Sequence, residues 1–144
     1  MPASGKVAAR DAYLQLEDSV GTLRVVDGDL NDSGFTDEAE TPESTGYGAT
    51  YRVFVIGGLK TFGFTMSGQF NDTATTGIET VLSGIGPGGS TGMIYGPGGS
   101  STGYRKISAC LIMTNYEVSA PLADLVQITA NFVLRSGSPT YATF

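Results

Sequence analysis

Two long stretches of the chain, residues 61–70 and 126–135, alternate between polar and apolar side chains. Period-two alternation places successive side chains on opposite faces of a β-strand, so each stretch predicts a strand with one apolar and one polar face. The apolar positions, which predict a core face, are Phe62, Phe64, Met66, Phe70, Val126, Ile128, Ala130, Phe132 and Leu134. The polar positions, which predict a solvated face, are Thr61, Thr65, Ser67, Gln69, Gln127, Thr129, Asn131 and Arg135.

The preceding stretch, residues 104–119, is rich in β-branched and aromatic residues and is apolar on both faces. This composition predicts a strand that is covered on both sides. Pro121 follows it, and the fixed φ angle of proline favours a turn at this point. Residues 104–135 therefore predict a long β-hairpin, which needs further strands to bury its apolar surface.

Shorter segments supply further strands and one helix. Three segments have the composition of short strands: residues 13–17, 22–26 and 51–56. Thr76 and Glu79 have the spacing of a helix-capping box, and Gly84 is placed to end the short helix that they begin. The chain therefore predicts a mainly β fold with many turns and one short helix.

Residues 27–48 differ from the rest of the chain because they carry seven carboxylates and neither Lys nor Arg. Leu30 and Phe35 are nearly the only large apolar residues among them. So little apolar surface does not order a segment by burial, and the segment predicts a long acidic loop. A loop of this length in a compact domain is expected to contact a partner.

The same segment also has the spacing of a calcium-binding loop. Its oxygen-bearing residues at positions 1, 3, 5, 7 and 12 of such a loop are Asp27, Asp29, Asn31, Ser33 and Glu38. Position 6 is Asp32 instead of the glycine that permits the sharp turn, and neither flank has a helical pattern. A calcium site is therefore an alternative to a plain acidic loop.

Two glycine-rich runs, GPGGST at residues 86–91 and GPGGSST at residues 96–102, surround a short apolar segment. Glycine-rich loops bind phosphate where they lead from a strand into a helix. No lysine follows these runs directly, and they do not connect a strand to a helix. They predict two turns around a short strand.

The composition leaves little room for catalysis. The 144 residues include no histidine and one cysteine, which excludes a Ser-His-Asp triad, imidazole metal ligands and an intrachain disulfide. Cys110 has no histidine to serve as its base, so it is predicted to be a small core residue. We therefore predict no catalytic residue, no cofactor and no enzymatic activity.

The net charge of −6 and the scattered Lys and Arg residues argue against binding to DNA or to an anionic membrane. No segment has the apolar length of a membrane span, and residues 1–10 lack the hydrophobic run of a signal peptide, so we expect a cytoplasmic site of synthesis. The length fits one domain over residues 1–144. Its predicted parts outside the core are an N-terminal arm at 1–10, the acidic loop at 27–48 and a C-terminal tail at 136–144.

Two stretches carry a family resemblance: VFVIGGLKTFGFTMSGQFND at residues 53–72 and YRKISACLIMTNYEVSAPLADLVQITANFVL at residues 104–134. A Gly-Leu-Lys step at 58–60 opens an alternating strand, which closes on a Ser-Gly element followed by an aromatic residue at 67–70. A Ser-Ala-Pro turn stands at 119–121. In this order they resemble the major tail tube proteins of bacteriophages with long non-contractile tails.

The resemblance implies a β-sandwich or barrel-like tail tube fold with a flanking helix. It implies a structural virion protein that forms hexameric rings, stacked into the hollow tail tube that conducts the genome during ejection. Synthesis in the host bacterial cytoplasm and a final location in the virion tail follow from it. The implied partners are further copies of the chain and the tape-measure, tail-tip and tail-terminator proteins, with DNA passing without specific binding and without any membrane contact.

The strand patterns agree with that implication. Long strands with one dry and one uncharged polar face suit a barrel closed across subunits, because closure removes strand edges. The polar positions would then line the bore or coat the outside. The arm at 1–10, the loop at 27–48 and the tail at 136–144 are the candidates for contacts between rings.

Other functions remain open at this point. The chain also fits another virion β-protein, such as a capsid decoration protein, a tail terminator or a stopper. The spacing from Asp27 to Glu38 leaves a calcium- or carbohydrate-binding β-sandwich as a further alternative.

Overall fold

The computed structural model describes residues 12–56, 58–71, 77–123 and 125–144. Within these ranges seven antiparallel strands form one sheet of order β2-β1-β5-β6-β7-β4-β3, accompanied by one α-helix. The elements are β1 Tyr13–Glu17, β2 Leu23–Val25, β3 Leu30–Ala39, β4 Lys60–Gln69, α1 Ile78–Ile85, β5 Ser90–Gly96, β6 Arg105–Ser119 and β7 Gln127–Thr143. The predicted mainly β fold with one short flanking helix is confirmed.

The sheet curls so that distant strands share one core. Phe64 of β4 and Tyr95 of β5 are separated in the sheet by β6 and β7, yet their ring centroids lie 5.2 Å apart. Phe35 of β3 also meets Tyr95, edge to face at 6.3 Å. Strands β3 and β4 therefore face β5 across an apolar interior, as the two layers of a sandwich do.

The two longest strands, β6 and β7, belong to both layers. The first part of β6 pairs with β5 and with the end of β7, where Ile107 lies opposite Tyr141. The last part of β6 pairs with the start of β7, where Glu117 lies opposite Thr129. Register shifts beside Cys110 and before Asn115 interrupt this ladder, and irregularities of this kind bend a strand.

Helix α1 covers one side of the core with an apolar face. Its N-cap is Gly77, which offers no side-chain hydrogen bond, and Thr76, the predicted cap, lies outside the described residues. The helix passes the predicted end at Gly84 and stops after Ile85, because Gly86 takes a left-handed φ of +69°. No helix within the described ranges is long and apolar enough to cross a membrane. The buried residues of α1 are Ile78, Val81 and Leu82.

The acidic segment is only partly a loop. After a 3-10 turn at Asp27–Asp29, the chain forms β3, which pairs with β4 from Leu30 opposite Gly68 to Ala39 opposite Lys60. The predicted loop over residues 27–48 is therefore wrong for its first half. An end strand needs little apolar surface, because its backbone ladder and one packed face hold it while its other side chains stay in solvent.

The predicted C-terminal tail at residues 136–144 is also wrong, because β7 continues as far as Thr143 against the first part of β6. Phe144 follows and packs edge to face on Tyr13 with 5.7 Å between ring centroids. The Lys106 ammonium lies 5.6 Å from the centre of the same ring. Backbone pairing and ring contacts therefore fix this end of the chain.

Two further predictions are corrected by the structure. Cys110 is exposed, because β6 buries only the face that carries Ala109 and Leu111, and Cys110 lies on the other. Residues 51–56, predicted to be a strand, form a single isolated bridge between Phe54 and Glu43. Their apolar side chains are exposed, so they do not belong to the core.

Candidate assembly surfaces

A polar face extends across β3, β4, β7 and β6 on the side opposite the core, and we call it the polar face. Residues that lie opposite one another in adjacent strands share a face of the sheet. Two cross-strand rows define this face: Asp32, Ser67, Thr129 and Glu117, then Gly34, Thr65, Asn131 and Asn115. The remaining predicted polar positions extend it, with Thr61 opposite Glu38 and Gln69 opposite Gln127.

The predicted core positions lie on the opposite side of the same strands. Those at most 2% exposed are Phe62, Phe64, Met66, Ile128, Ala130 and Phe132. Val126 and Leu134 are half-buried, and Phe70, which follows the last residue of β4, is 37% exposed. The two faces thus separate along β4 and along residues 127–134 of β7, and the contrast is lost in the rest of β7 and where β4 ends.

The charged residues placed on the polar face by strand pairing, among those the structure describes, are acidic: Asp32, Glu38 and Glu117. Lys60 is the first residue of β4, and Arg135 lies beyond the last pairing between β4 and β7. Hydroxyl and amide groups make up most of the remainder. The polar face is therefore uncharged or negative over its central rows.

An irregularity in β3 adds a hydrogen-bonded bridge to this face. The register shifts between Leu30 and Asp32, which leaves Asn31 as an extra residue in the strand. The Asn31 side-chain amide donates to Gln127 Oε1 at 3.3 Å, and its Oδ1 accepts from Ser67 Oγ at 3.2 Å. Asn31 therefore connects β3, β4 and β7 on the polar face.

One outer strand of the polar face is β3, which lies last in the order of the described strands. The Glu40 N–H points toward β4 and donates to the Leu59 carbonyl at 2.9 Å. Alternate amides of an antiparallel strand point in the same direction, so the N–H groups of Asp37 and Ala39 point away from β4. We call this row of backbone groups, which has no partner among the described strands, the β3 edge.

The other outer strand is the last part of β6. On the side away from β7, β6 pairs with β5 as far as Ile112, and the Met113 N–H donates to the Gly89 carbonyl at 3.0 Å. Beyond this point no described strand lies beside residues 114–119 on that side. We call this row of backbone groups the β6 edge.

Residues 40–59 connect β3 to β4, and we call their described part, residues 40–56 and 58–59, the extension. The Ser44 N–H donates to the Val53 carbonyl at 2.8 Å, and the Val55 N–H donates to the Pro42 carbonyl at 2.7 Å. Large apolar side chains nevertheless remain exposed along it: Tyr47, Tyr51, Val53, Phe54, Val55, Ile56 and Leu59. Exposed apolar side chains of this kind are typical of surfaces that contact another protein.

The candidate calcium positions are not brought together. The turn at Asp27–Asp29 precedes an extended strand in which Ser33 and Glu38 stand about 17 Å apart along the chain. Ser33 Oγ is hydrogen-bonded to the Tyr95 hydroxyl at 2.9 Å, and burial raises the pKa of the Asp27 carboxyl, chiefly by desolvation. No three His, Cys, Asp or Glu side chains within the described ranges are grouped to hold a metal. The described part of this segment therefore lacks the geometry of a calcium-binding loop.

Three solved structures share the fold. The tail of an empty gene transfer agent particle, reconstructed with C6 symmetry, superposes with a TM-score of 0.77 at 13% identity, covering 96% of this chain and 100% of that chain. The virion of a native gene transfer agent particle gives 0.71 at 15% identity with the same coverage. The SPP1 tail tube gives 0.72 at 8% identity, covering 96% of this chain and 80% of that one. The chain has the tail tube fold.

The comparisons of sequence found no relative: no protein-family model and no curated protein matches this chain. Identities of 8 to 15% establish the architecture alone. The parts of this fold that the sequence pattern predicted are β4, the β6–β7 hairpin, the short strands β1, β2 and β5, and helix α1.

Both sheet edges and the extension were missed from the sequence. The β3 edge was hidden because Asp, Asn and Gly are rare in strands. The alternation of Ser33, Phe35 and Asp37 on one side of this strand was the available signal. Within the extension, residues 51–56 predict a short strand because residues 53–56 are apolar. The glycines at 46, 48, 57 and 58, which lie on either side of residues 51–56, are more typical of a loop.

Proposed function

We propose that this chain is the structural subunit of a phage-type tail tube, in which hexameric rings stack into a hollow tube in the virion tail. The role is structural and not enzymatic. The observation that carries the proposal is the polar face, a smooth four-stranded surface whose two outer strands present the β3 edge and the β6 edge. The likeness of the fold to tail structures, one of them reconstructed with C6 symmetry, supports it.

In the proposed ring, the β3 edge of one copy pairs with the β6 edge of its neighbour. Each copy then contributes four adjacent strands to one barrel, and closure of the barrel leaves none of these edges unpaired. The second layer, with β1, β2, β5 and α1, lies on the core side of those strands. In this arrangement the second layer lies outside the barrel, where there is more room than in its closed interior, and the polar face lines the bore.

The bore of this tube suits the passage of DNA. Asp32, Glu38 and Glu117 would face the bore in every copy, among hydroxyl and amide groups. Carboxylates repel the phosphate backbone, and a lining without a cluster of Lys or Arg has no site where DNA is held. The genome therefore slides through during ejection and is not bound.

The extension supplies a second contact between copies in this proposal. Its exposed apolar side chains become buried against another subunit, in the same ring or the next one. The tape-measure protein inside the tube, and the tail-tip and tail-terminator proteins at its ends, are the further proposed partners.

Electron microscopy of the purified chain tests the proposed function. We expect stacked rings or tubes, and class averages viewed down the axis should show sixfold symmetry. A chain that stays monomeric at high concentration, and also when mixed with the tail components of its virion, would contradict the proposal. If this chain is found in the virion on capsids, or at the tail terminus alone, it is a decoration, terminator or stopper protein instead.

A matched pair of substitutions tests the extension. Ile56 is 95% exposed in the extension, and Val20 is 81% exposed in the β1–β2 turn. We expect Ile56→Ser to weaken tube formation without lowering the Tm of the unassembled chain, since the side chain is almost fully exposed to solvent there. Val20→Ser, which removes a similar apolar group elsewhere, should leave both properties unchanged. Equal tube formation by the two variants would exclude this role for Ile56.

A further inference from the structure

The end strand β3 is fastened to the opposite layer by contacts that its ladder with β4 does not require. Ser33, Phe35 and Asp37 alternate along β3 and share the face that lies toward the core. A strand at the end of a sheet has a neighbour on one side only, so contacts made by this face decide how firmly it is held.

Phe35 is at the centre of these contacts. Its ring stacks on Phe62 with 5.5 Å between centroids, and meets Tyr95 and Tyr141 at 6.3 Å each. Two residues before Phe35, on the same face of β3, Ser33 Oγ and the Tyr95 hydroxyl are hydrogen-bonded at 2.9 Å. β3 is thereby attached to β5 and β7 as well as to its neighbour β4.

A further contact of this face joins Asp37 to Tyr141. The Tyr141 hydroxyl donates to Asp37 Oδ2 at 2.6 Å, a length typical of a hydrogen bond to a charged acceptor. Tyr141 lies on the part of β7 that pairs with Ile107 of β6, beyond the part that pairs with β4. The hydrogen bond to Asp37 raises the pKa of the Tyr141 phenol, as expected for a phenol that donates to a carboxylate.

We propose that Phe35, Asp37 and Tyr141 form a clasp that holds the second half of β3 in strand conformation before assembly, so that the β3 edge is ready to receive a neighbouring copy. The clasp acts on the edge through the backbone of β3, and its residues are positioning residues. Its effect on tube formation rests on the proposed function, whereas its effect on β3 within the unassembled chain does not.

The composition of β3 shows why such a clasp is needed. Asn31, Asp32, Gly34 and Asp37 all belong to residue types that are depleted in strands. An end strand of this composition frays readily, and a frayed edge has to be ordered whenever a neighbour binds, which weakens association. Contacts that order the edge in advance remove that cost.

Amide hydrogen exchange of the unassembled chain tests the clasp directly. Tyr141→Phe removes the hydroxyl and keeps the ring that packs on Phe35. The matched control is Tyr104→Phe, since no hydrogen bond joins the Tyr104 hydroxyl to the described part of the chain. Asp37→Asn keeps a weaker acceptor and gives an intermediate case. Circular dichroism of each variant verifies folding.

We expect Tyr141→Phe to speed exchange of the β3 amides that pair with β4 about fivefold, the change that loss of one such hydrogen bond produces. Asp37→Asn should show a smaller increase, and Tyr104→Phe none. Equal exchange of these amides in Tyr141→Phe and Tyr104→Phe would overturn the clasp. If Tyr141→Phe does not fold, exchange of the same amides in Asp37→Asn is compared with that in Tyr104→Phe, and equal rates would again overturn the clasp.

The critical concentration for tube formation tests the second half of the proposal. We expect it to rise about threefold to fivefold in Tyr141→Phe and to be unchanged in Tyr104→Phe. Faster exchange together with an unchanged critical concentration would overturn the role of the clasp in assembly. If the wild-type chain forms no tubes at all, the proposed function fails, and the exchange comparison still decides whether the clasp exists.

Discussion

Strands β3 and β4 are neighbours in the same sheet, with Phe35 opposite Phe64 near the middle of their ladder, yet the reasons that they are strands differ. β4 alternates between large apolar side chains at most 2% exposed and polar side chains. β3 has few apolar residues, and most of its side chains are exposed. One strand is fixed by burial, and the other by its backbone pairing and by contacts of a single face.

The difference reflects position in the sheet. β4 lies between β3 and β7, so both of its backbone edges are used within the chain and its apolar face is closed by the opposite layer. β3 has one backbone edge without a described partner, and its polar composition suits a strand whose edge is open to solvent. A strand with an open backbone edge is therefore harder to recognise in sequence than a strand that completes the core.

The largest expected effect is that of a charge in the buried strand. Phe64 is fully buried, so Phe64→Asp places a carboxylate in the core without a partner. We expect loss of folding, because the cost of about 5 kcal/mol or more is comparable with the whole stability of a domain. Circular dichroism and gel filtration would detect it, and a cooperative unfolding transition near that of the wild type would refute the assignment of this face to the core.

A truncation in each strand compares them directly. Phe64→Ala should lower the free energy of unfolding by about 3–5 kcal/mol, as truncation of a buried Phe does. Phe35→Ala, at the half-buried position opposite, should cost about 1–2 kcal/mol, since less of its surface is removed from water. Denaturant unfolding of both variants measures the two losses in the free energy of unfolding. Equal losses would show that β3 is as much a core strand as β4.

The other end strand of the sheet, β2, depends on turn chemistry. Asp18 Oδ1 accepts from the Thr22 N–H at 2.9 Å and from the Val20 N–H at 3.0 Å, and Oδ2 accepts from Arg24 Nε at 3.0 Å. These bonds, that of Thr22 above all, lower the pKa of the Asp18 carboxyl, against the opposing effect of desolvation.

Because this pKa is lower in the folded chain, the stabilisation is complete above the unfolded value of about 3.9 and is lost as the pH falls through the folded value. We expect Asp18→Asn to lower the Tm at pH 7, and the deficit to shrink as the pH is lowered from about 5 to 2. Thermal unfolding over this range measures the deficit. A Tm deficit that stays constant with pH would show that the charge of Asp18 has no part in holding β2.

The smallest expected effect is on the polar face. Thr129 is part of a cross-strand row of polar residues, and Thr129→Ser removes one methyl group while it keeps the hydroxyl. We expect the free energy of unfolding to change by at most about 0.5 kcal/mol. A loss as large as that of Phe35→Ala would mean that this face is packed within the single chain.

The sequence predicts those parts of the fold in which burial sets the pattern. Alternation located β4 and the second strand of the hairpin, because every second side chain in them is removed from water. It did not predict β3, whose order depends on partners far along the chain, such as Tyr95 and Tyr141. The local composition of residues 30–39 does not indicate these contacts, so it predicts a loop.

The candidate assembly surfaces were predictable to a similar extent. The polar positions of β4 and β7 follow from alternation alone. That Asp32 and Glu117 also belong to the polar face depends on which strands lie beside β4 and β7, and this is a property of the topology. The two edges are also defined by the absence of a described neighbour, which no local pattern encodes.

A cryo-electron microscopy reconstruction of the assembled tube, at a resolution that shows side chains, tests the central claim most directly. It should show residues 30–39 of each copy hydrogen-bonded to residues 114–119 of the next, with Thr65 and Thr129 facing the bore. A tube in which these two edges remain apart, or in which Thr65 and Thr129 face the outer surface, would contradict the account.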